Sequence, residues 1–314
     1  MAVTATPLHP TFAAELSGFD LHQPLAEADF QAIWAAMDQY AVCVIHSDPP
    51  LSDEEHKAFS RRFGPLMNSR KTPVFKVSDN YAETPRFETG EVIDVSNLDA
   101  KGNFLAADSR RTLFKKGDQI WHADVSFNRN RATYSMLNSL VIPPEGGDTG
   151  FADLRAAYDG LPETMKRHID KLIAQHSIWH SRKRIGFDDP TPEEVASNPP
   201  VRHHLVHTHP RSGRRSLYIG SHAGVIEGMG EAEGMALIDE LIAHATQPQF
   251  VYYHRWRAGD LVMWDNYVTM HRATPFDDQT WPRDVRRTTV REWDDTLPVA
   301  EIDRLVAERE QKAA

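Results

Sequence analysis

The residues with the most chemical promise are His122 and Asp124, in the run Gln119-Ile-Trp-His122-Ala-Asp124-Val-Ser-Phe127. An imidazole and a carboxylate two residues apart on an extended chain point to the same face. There they can take adjacent positions on one metal ion. A second histidine from elsewhere would complete a facial triad and leave three positions open, the arrangement of non-haem Fe(II) oxygenases. The motif by itself is weak, because the chain holds 16 His and 45 Asp plus Glu, and His-x-Asp occurs three times, at His46/Asp48, His122/Asp124 and His168/Asp170. Context separates the three. His168 and Asp170 fall on a predicted helix, where positions i and i+2 diverge. His46 and Asp48 precede Pro49-Pro50 and suit a turn or cap. His122 and Asp124 sit in a predicted strand among aromatic neighbours.

A third ligand must come from another histidine. His271 follows the turn and apolar strand Gly259-Asp-Leu-Val-Met-Trp-Asp-Asn266, and the chain then turns basic at Arg272, Arg283, Arg286, Arg287 and Arg291. A metal beside arginines suits an anionic, chelating co-substrate, because guanidinium binds carboxylate in a bidentate fork. The plainer alternative leaves His271 on the surface and pairs the arginines with Asp277, Asp278, Asp284 and Glu292. Two His and one Asp would also suit a zinc hydrolase. Spacing does not choose among these.

Several elements must hold these residues in place. Phe30, Ile33, Trp34, Met37 and Tyr40 recur at helical spacing over 27–40, and Tyr40 to Ile45 reads as a buried strand. Ser52-Asp-Glu-Glu55 is a capping box whose helix ends at Gly64-Pro65. Residues 83–118 are polar, with only Val92 to Val95 strand-like, and form a candidate lid just before the His122 motif. Strands are expected at 119–122, 133–142, 149–151, 250–255, 261–264 and 287–293. Residues 205–209 and 216–219 flank Pro-Arg-Ser-Gly as a hairpin. Helices are expected at 153–160, 162–175, 231–245 and 299–311, and 181–200 reads as a Pro-rich loop. Many short strands with Gly/Pro turns predict a sandwich or barrel rather than a parallel sheet. Neither an internal repeat nor a linker is evident, so one domain over 1–314 is expected.

Bulk properties exclude some functions. The formal charge of −10 argues against nucleic-acid binding, and an anionic substrate would need a local basic pocket. One cysteine, Cys43, permits no intrachain disulfide and fits a reducing compartment. No stretch approaches the roughly 18 apolar residues of a membrane span, and the N-terminus does not resemble a secretory signal. Cytoplasmic residence is the expectation.

Four blocks together resemble the taurine/2,4-dichlorophenoxyacetate dioxygenase family. They are Trp-His122-Ala-Asp124-Val-Ser-Phe; Gly146-Gly-Asp-Thr149 with Phe151-Ala-Asp-Leu-Arg-Ala-Ala-Tyr158; Gly259 to Asn266 with His271; and Arg283-Asp-Val-Arg-Arg287-Thr-Thr-Val290. The likeness runs from about residue 7 to 293. Tyr134-Ser-Met-Leu137 and His244-Ala-Thr-Gln247 bring the chain closer to the aryloxyacetate (2,4-D) branch than to the taurine branch. The resemblance implies an α+β, mainly β fold: a double-stranded β-helix (jelly-roll) core with flanking helices. It implies His122, Asp124 and His271 as ligands of Fe(II), with 2-oxoglutarate and O2 as co-substrates. It implies that Thr149 and Arg283 hold 2-oxoglutarate and that Arg287 meets the acidic group of a small organic acid. It also implies a homo-oligomer, dimer or tetramer. The implied reaction is hydroxylation, with cleavage of an aryloxyalkanoate ether as one outcome; a sulfonate, sulfate ester or amino acid derivative is the alternative substrate.

Two departures bear on the site. Arg283 comes one residue later after His271 than the family spacing, which makes Arg286 a rival for either arginine role. Asp118 stands where an asparagine near the substrate is expected, and a carboxylate there would disfavour an anion or favour an amine.

Overall fold

A computed structural model describes residues 2–71, 86–87, 90–187 and 190–313. The first part of the chain forms β1 (Thr4–Pro7), β2 (Ala14–Ser17), α1 (Glu27–Tyr40), β3 (Val42–His46), α2 (Asp53–Arg61), β4 (Ile93–Asp94) and α3 (Arg110–Lys115). The middle forms β5 (Ala132–Val141), β6 (Thr149–Asp153), α4 (Leu154–Asp159), α5 (Glu163–Ile169), β7 (Ile173–His176), α6 (Ile178–Arg184), α7 (Pro192–Ser197) and β8 (Val201–His204). Then come β9 (Val206–Thr208), β10 (Arg215–Leu217), β11 (Ala223–Ile226), α8 (Glu231–Ala245), β12 (Val251–His254), β13 (Asp260–Asp265), β14 (Thr269–Ala273), β15 (Asp284–Arg291) and α9 (Val299–Ala313). The fold is α+β, built on several antiparallel sheets.

The main sheet has seven strands in the order β1-β2-β3-β13-β5-β15-β4. Its pairs are antiparallel except β2 with β3. Alternation along each strand splits its side chains between two faces. Cys43, Ile45, Met136, Leu261, Met263 and Val290 face outward and pack beneath Phe30, Ile33 and Met37 of α1 and Phe59 of α2. Val42, Val44, Leu137, Val262, Trp264 and Val285 face inward and meet Phe151 of β6. Burial on both faces is why β3 reads as an unbroken apolar run. Phe151 belongs to the second sheet, β12-β6-β14, which covers that inner face. The back of this smaller sheet, at Ala152 and Met270, packs on Tyr158 of α4 and on Leu237, Ile238 and Leu241 of α8. The space between the two sheets is where the chemically promising residues meet.

The two N-terminal helices follow their signals. α1 ends at Ala41, whose left-handed φ of 59° lets its N–H return to the Met37 carbonyl. α2 carries the expected reciprocal capping box between Ser52 and Glu55. Three segments differ from expectation. Residues 119–122 are not a strand: Lys116–Gln119 wind a 3-10 turn, and His122 makes an isolated bridge to His271. The helix expected over 162–175 stops at Ile169, because 173–176 pair with β8 and β11, partners far away in sequence. Residues 181–200 hold the end of α6 and all of α7. The start of α7 is a capping box, Thr191 to Glu194 with Pro192 at its first turn, a legible helix signal that the Pro-rich composition obscured. Residues 188–189 of that span, and 83–85 and 88–89 of the expected lid, lie outside the described residues. Among the described residues no helix is long and apolar enough to cross a membrane.

Candidate metal centre and co-substrate pocket

The site is assembled by one short backbone pairing. The N–H of His122 donates to the carbonyl of His271 at 3.0 Å, and the N–H of His271 donates to that of His122 at 2.8 Å. This sets the two imidazole centroids 4.2 Å apart. After His122 the chain turns, with Val125 at φ 56°, and the turn brings Asp124 under the pair. One ligand atom from each of His122, Asp124 and His271 lies within 4.8 Å of the other two, and all three residues are buried. His122 Nε2 is 3.9 Å from Asp124 Oδ1, and His271 Nε2 is 3.8 Å from Oδ2. His122 Nδ1 lies 2.8 Å from the Ile120 carbonyl, an acceptor only, so that nitrogen carries the proton and leaves the Nε2 lone pair facing Asp124. His271 is set by rings, with Trp264 at 4.7 Å and Phe151 stacked at 6.1 Å.

Asp124 is held from every side. Ser135 Oγ donates to Oδ2 at 2.7 Å, and Arg287 Nη1 donates to Oδ1 at 2.7 Å. Asn266 accepts from the Asp124 N–H at 3.1 Å and donates to Ser135 Oγ at 2.9 Å, while Trp264 Nε1 fixes the same amide. Burial would raise this carboxyl, but Arg287, the two histidines and Ser135 outweigh it and hold the pKa at about 2. Burial, then the neighbouring His122, keeps His271 well below the ordinary imidazole value and therefore neutral. An ionised carboxylate and two imidazoles form a donor set that fits Fe(II).

Arg283 and Arg287 lie on the inner side of β15 and its lead-in, and Arg286 lies on the outer side. Arg286 Nη1 pairs with Asp53 at 2.8 Å, away from the three ligands. Arg283 is 6% exposed, and among the described residues no carboxylate comes within ion-pair reach of it. Its Nη1 and Nη2 make long contacts to the carbonyls of Val95 (3.4 Å) and Gly147 (3.5 Å), and its Nε has no partner. Burial lowers its pKa to about 10, with Asp118 and Asp148 opposing. Its guanidinium also lies over the Trp256 ring, whose Nε1 donates to Thr149 Oγ1 at 3.1 Å. Trp256 thus joins the two residues expected to hold 2-oxoglutarate. Arg283, Asp118, Gly147 and Thr274 line a cavity of about 150 Å³. Asp118 sits in the 3-10 turn, 3.9 Å from Arg182 Nη2 and half-exposed. The two rival His-x-Asp pairs are engaged elsewhere: His46 Nδ1 lies 2.9 Å from Asp260 Oδ1, and Asp170 pairs with Arg215.

Sequence reasoning missed Ser135, Asn266 and Trp256. The first two lay inside blocks already singled out, but their hydrogen bonds depend on strand register, with Trp264 opposite Ser135 across β13 and β5.

The model of the family described as taurine catabolism dioxygenase TauD, TfdA family matches residues 4–289. The alpha-ketoglutarate-dependent 2,4-dichlorophenoxyacetate dioxygenase of Cupriavidus pinatubonensis is 42% identical over 289 residues, covering 92% of this chain and 98% of the relative. The (S)-phenoxypropionate/alpha-ketoglutarate-dioxygenase of Sphingobium herbicidovorans is 35% identical, over 88% of this chain and 91% of the relative. Among solved structures, that of AAD-2 in complex with Mn(II) and N-oxalylglycine superposes with a TM-score of 0.87 at 43% identity, covering 95% of this chain and 100% of the other.

Proposed function

The chain belongs to the TauD/TfdA family and is a 2-oxoglutarate-dependent dioxygenase, and from that premise we propose that it hydroxylates an aryloxyalkanoate at the carbon beside the ether oxygen. The observation that carries the reading is the convergence of His122, Asp124 and His271 within 4.8 Å, together with the buried Arg283, which among the described residues has no carboxylate within ion-pair reach. The likeness to the 2,4-dichlorophenoxyacetate and (S)-phenoxypropionate enzymes supports the substrate class.

In this reading His122, Asp124 and His271 hold Fe(II). The iron, with 2-oxoglutarate and O2, supplies the oxidation: one oxygen atom enters the substrate C–H bond, and the other leaves in succinate as CO2 is released. The chain's own residues do the rest. Ser135 and Asn266 fix the rotamer of Asp124, so a ligand oxygen stays aimed at the ion. Arg283 and Thr149 receive the far carboxylate of 2-oxoglutarate, with Trp256 bracing both. Arg287 holds Asp124 through Nη1, and among the described residues its Nε has no hydrogen-bond partner, placing a cation beside the metal for the substrate's carboxylate. Asp118, expected near the substrate, instead lines the Arg283 cavity, where its charge favours the protonated guanidinium. The described residues 90–118 close over the site and exclude water. In support, Arg86 pairs with Asp284 of β15 at 2.7 Å, and Arg111 pairs with Asp94 at 2.9 Å. The hydroxylated product is a hemiacetal, which collapses by moving its hydroxyl proton to the ether oxygen and breaking that C–O bond. A phenol and an oxo-acid result. The two facing antiparallel sheets support a double-stranded β-helix core in a single domain over 1–314. A cytoplasmic homo-oligomer, dimer or tetramer, completes the proposal.

A substrate panel tests this. Succinate release should match phenol release with 2,4-dichlorophenoxyacetate or a phenoxypropionate. Succinate formed only with a sulfonate, an alkyl sulfate or an amino acid derivative would overturn the aryloxyalkanoate assignment and leave the oxygenase chemistry standing.

A further inference from the structure

Arg283 is not the only cation on the wall of its cavity. Lys115, the last residue of α3, lines the same space of about 150 Å³. The two side chains are braced by the neighbouring carbonyls of Val95 and Ser96. Lys115 Nζ donates to Ser96 O at 2.6 Å, and Arg283 Nη1 donates to Val95 O at 3.4 Å. The Arg283 N–H adds a bond to Asn97 Oδ1 at 2.8 Å.

These two cations differ from the other basic groups around the site. Arg287 has Asp124, Arg286 has Asp53, and Arg86 has Asp284, each within ion-pair distance. Among the described residues neither Lys115 nor Arg283 has such a partner. Asp94, close to Lys115, is taken by Arg86 at 3.2 Å and Arg111 at 2.9 Å. Asp118, on the same wall, is half-exposed and leans toward Arg182. The cavity wall carries Lys115, Lys116 and Arg283 against Asp118 and Asp278, and in a chain of net charge −10 Lys115 and Arg283, without an ion-pair partner among the described residues, match an organic anion with a terminal carboxylate.

We propose that Lys115 is a second anchor for the far carboxylate of 2-oxoglutarate, acting beside Arg283. This rests on the dioxygenase reading of the site. The ammonium also makes the anchor sensitive to pH. Burial lowers its pKa to about 7, and Arg111 and Arg283 push in the same direction, while Asp94 and Asp118 oppose. With the site empty, Lys115 loses its proton as pH rises through about 7. A bound carboxylate favours the charged form, so binding takes up a proton and weakens at higher pH.

Anaerobic calorimetry of 2-oxoglutarate binding to the Fe(II)-loaded protein, in buffers of different ionisation heat, tests this. The wild type should take up roughly half a proton per 2-oxoglutarate near pH 7.5, the difference expected if the anion raises the ammonium's pKa by about one unit. Lys115→Met should bind about tenfold more weakly at pH 6.5 and take up correspondingly less. Lys115→Arg should restore tight binding without the pH dependence. Wild-type affinity and proton uptake in Lys115→Met would overturn the assignment, as would wild-type binding with no proton uptake near pH 7.5. A wild type that binds no 2-oxoglutarate at any pH would instead bring down the dioxygenase reading.

Discussion

Three arginines within five residues face three different fates, and the backbone decides which. Arg283 and Arg287 point between the sheets, whereas Arg286 points out to Asp53 and packs over Phe87. Arg283→Ala should therefore raise the 2-oxoglutarate KM by about a hundredfold, the usual scale for a buried charge-assisted pair, and change the primary substrate's KM far less. Arg286→Ala should leave both constants within about twofold and cost up to ~1 kcal/mol of stability, as expected for a partly exposed ion pair. Steady-state kinetics with each co-substrate varied decides this. Equal effects of the two variants would mean the strand faces are misassigned. The one-residue shift before Arg283 made Arg286 a rival on paper, and side-chain alternation in β15 turns Arg286 toward Asp53.

The elements show why part of the site was legible and part was not. His122-x-Asp124 stood out because the two residues are near in sequence, whereas spacing left His271 open and only the family resemblance pointed to it. The expected mechanism of their approach, a continuous strand through 119–122, is not what the chain does. A 3-10 turn, a single bridge and a left-handed Val125 bring both side chains to one point. Short irregular geometry of this kind leaves no periodic trace. The same holds for the segment beside the bridge, where the Ser221 N–H donates to Trp121 O at 2.8 Å. There Gly220 has φ 141°, and a Cβ on it would stand 3.2 Å from the His122 Cα. Gly220→Ala should thus strain the backbone and press on the His122 backbone, costing about 1–3 kcal/mol and weakening divalent-metal binding. Urea unfolding of the metal-free protein, with Mn(II) titration, measures both. An alanine variant with unchanged metal affinity would show that His122 is positioned independently of this contact.

Across the whole molecule, long-range pairing was the hardest feature to anticipate. β7 lies in a stretch expected to be helical because its partners, β8 and β11, come later in the chain. That sheet buries a histidine with an acid liability. His176 is fully buried, stacks on Tyr218 at 5.4 Å, and among the described residues has no hydrogen-bond partner on either ring nitrogen. Burial, then His180 and Arg131, lower its pKa to about 3. His207 is likewise held near 3 by burial and Arg131. Below the ordinary imidazole value of about 6.5 the unfolded chain binds protons that the folded one refuses, so stability falls as pH drops from there toward 3. Urea midpoints should decline from pH 7 to pH 5, and His176→Leu should flatten part of that slope; an unchanged slope would mean that His176 is protonated in the fold. Catalysis depends on three side chains sharing one metal ion that also takes 2-oxoglutarate. Anaerobic addition of Fe(II) and then 2-oxoglutarate measures this directly through a weak visible charge-transfer band. The band should appear in the wild type and be lost in Asp124→Ala and His122→Ala variants that remain folded by circular dichroism. A wild type without the band, or variants that keep it unchanged, would contradict the account.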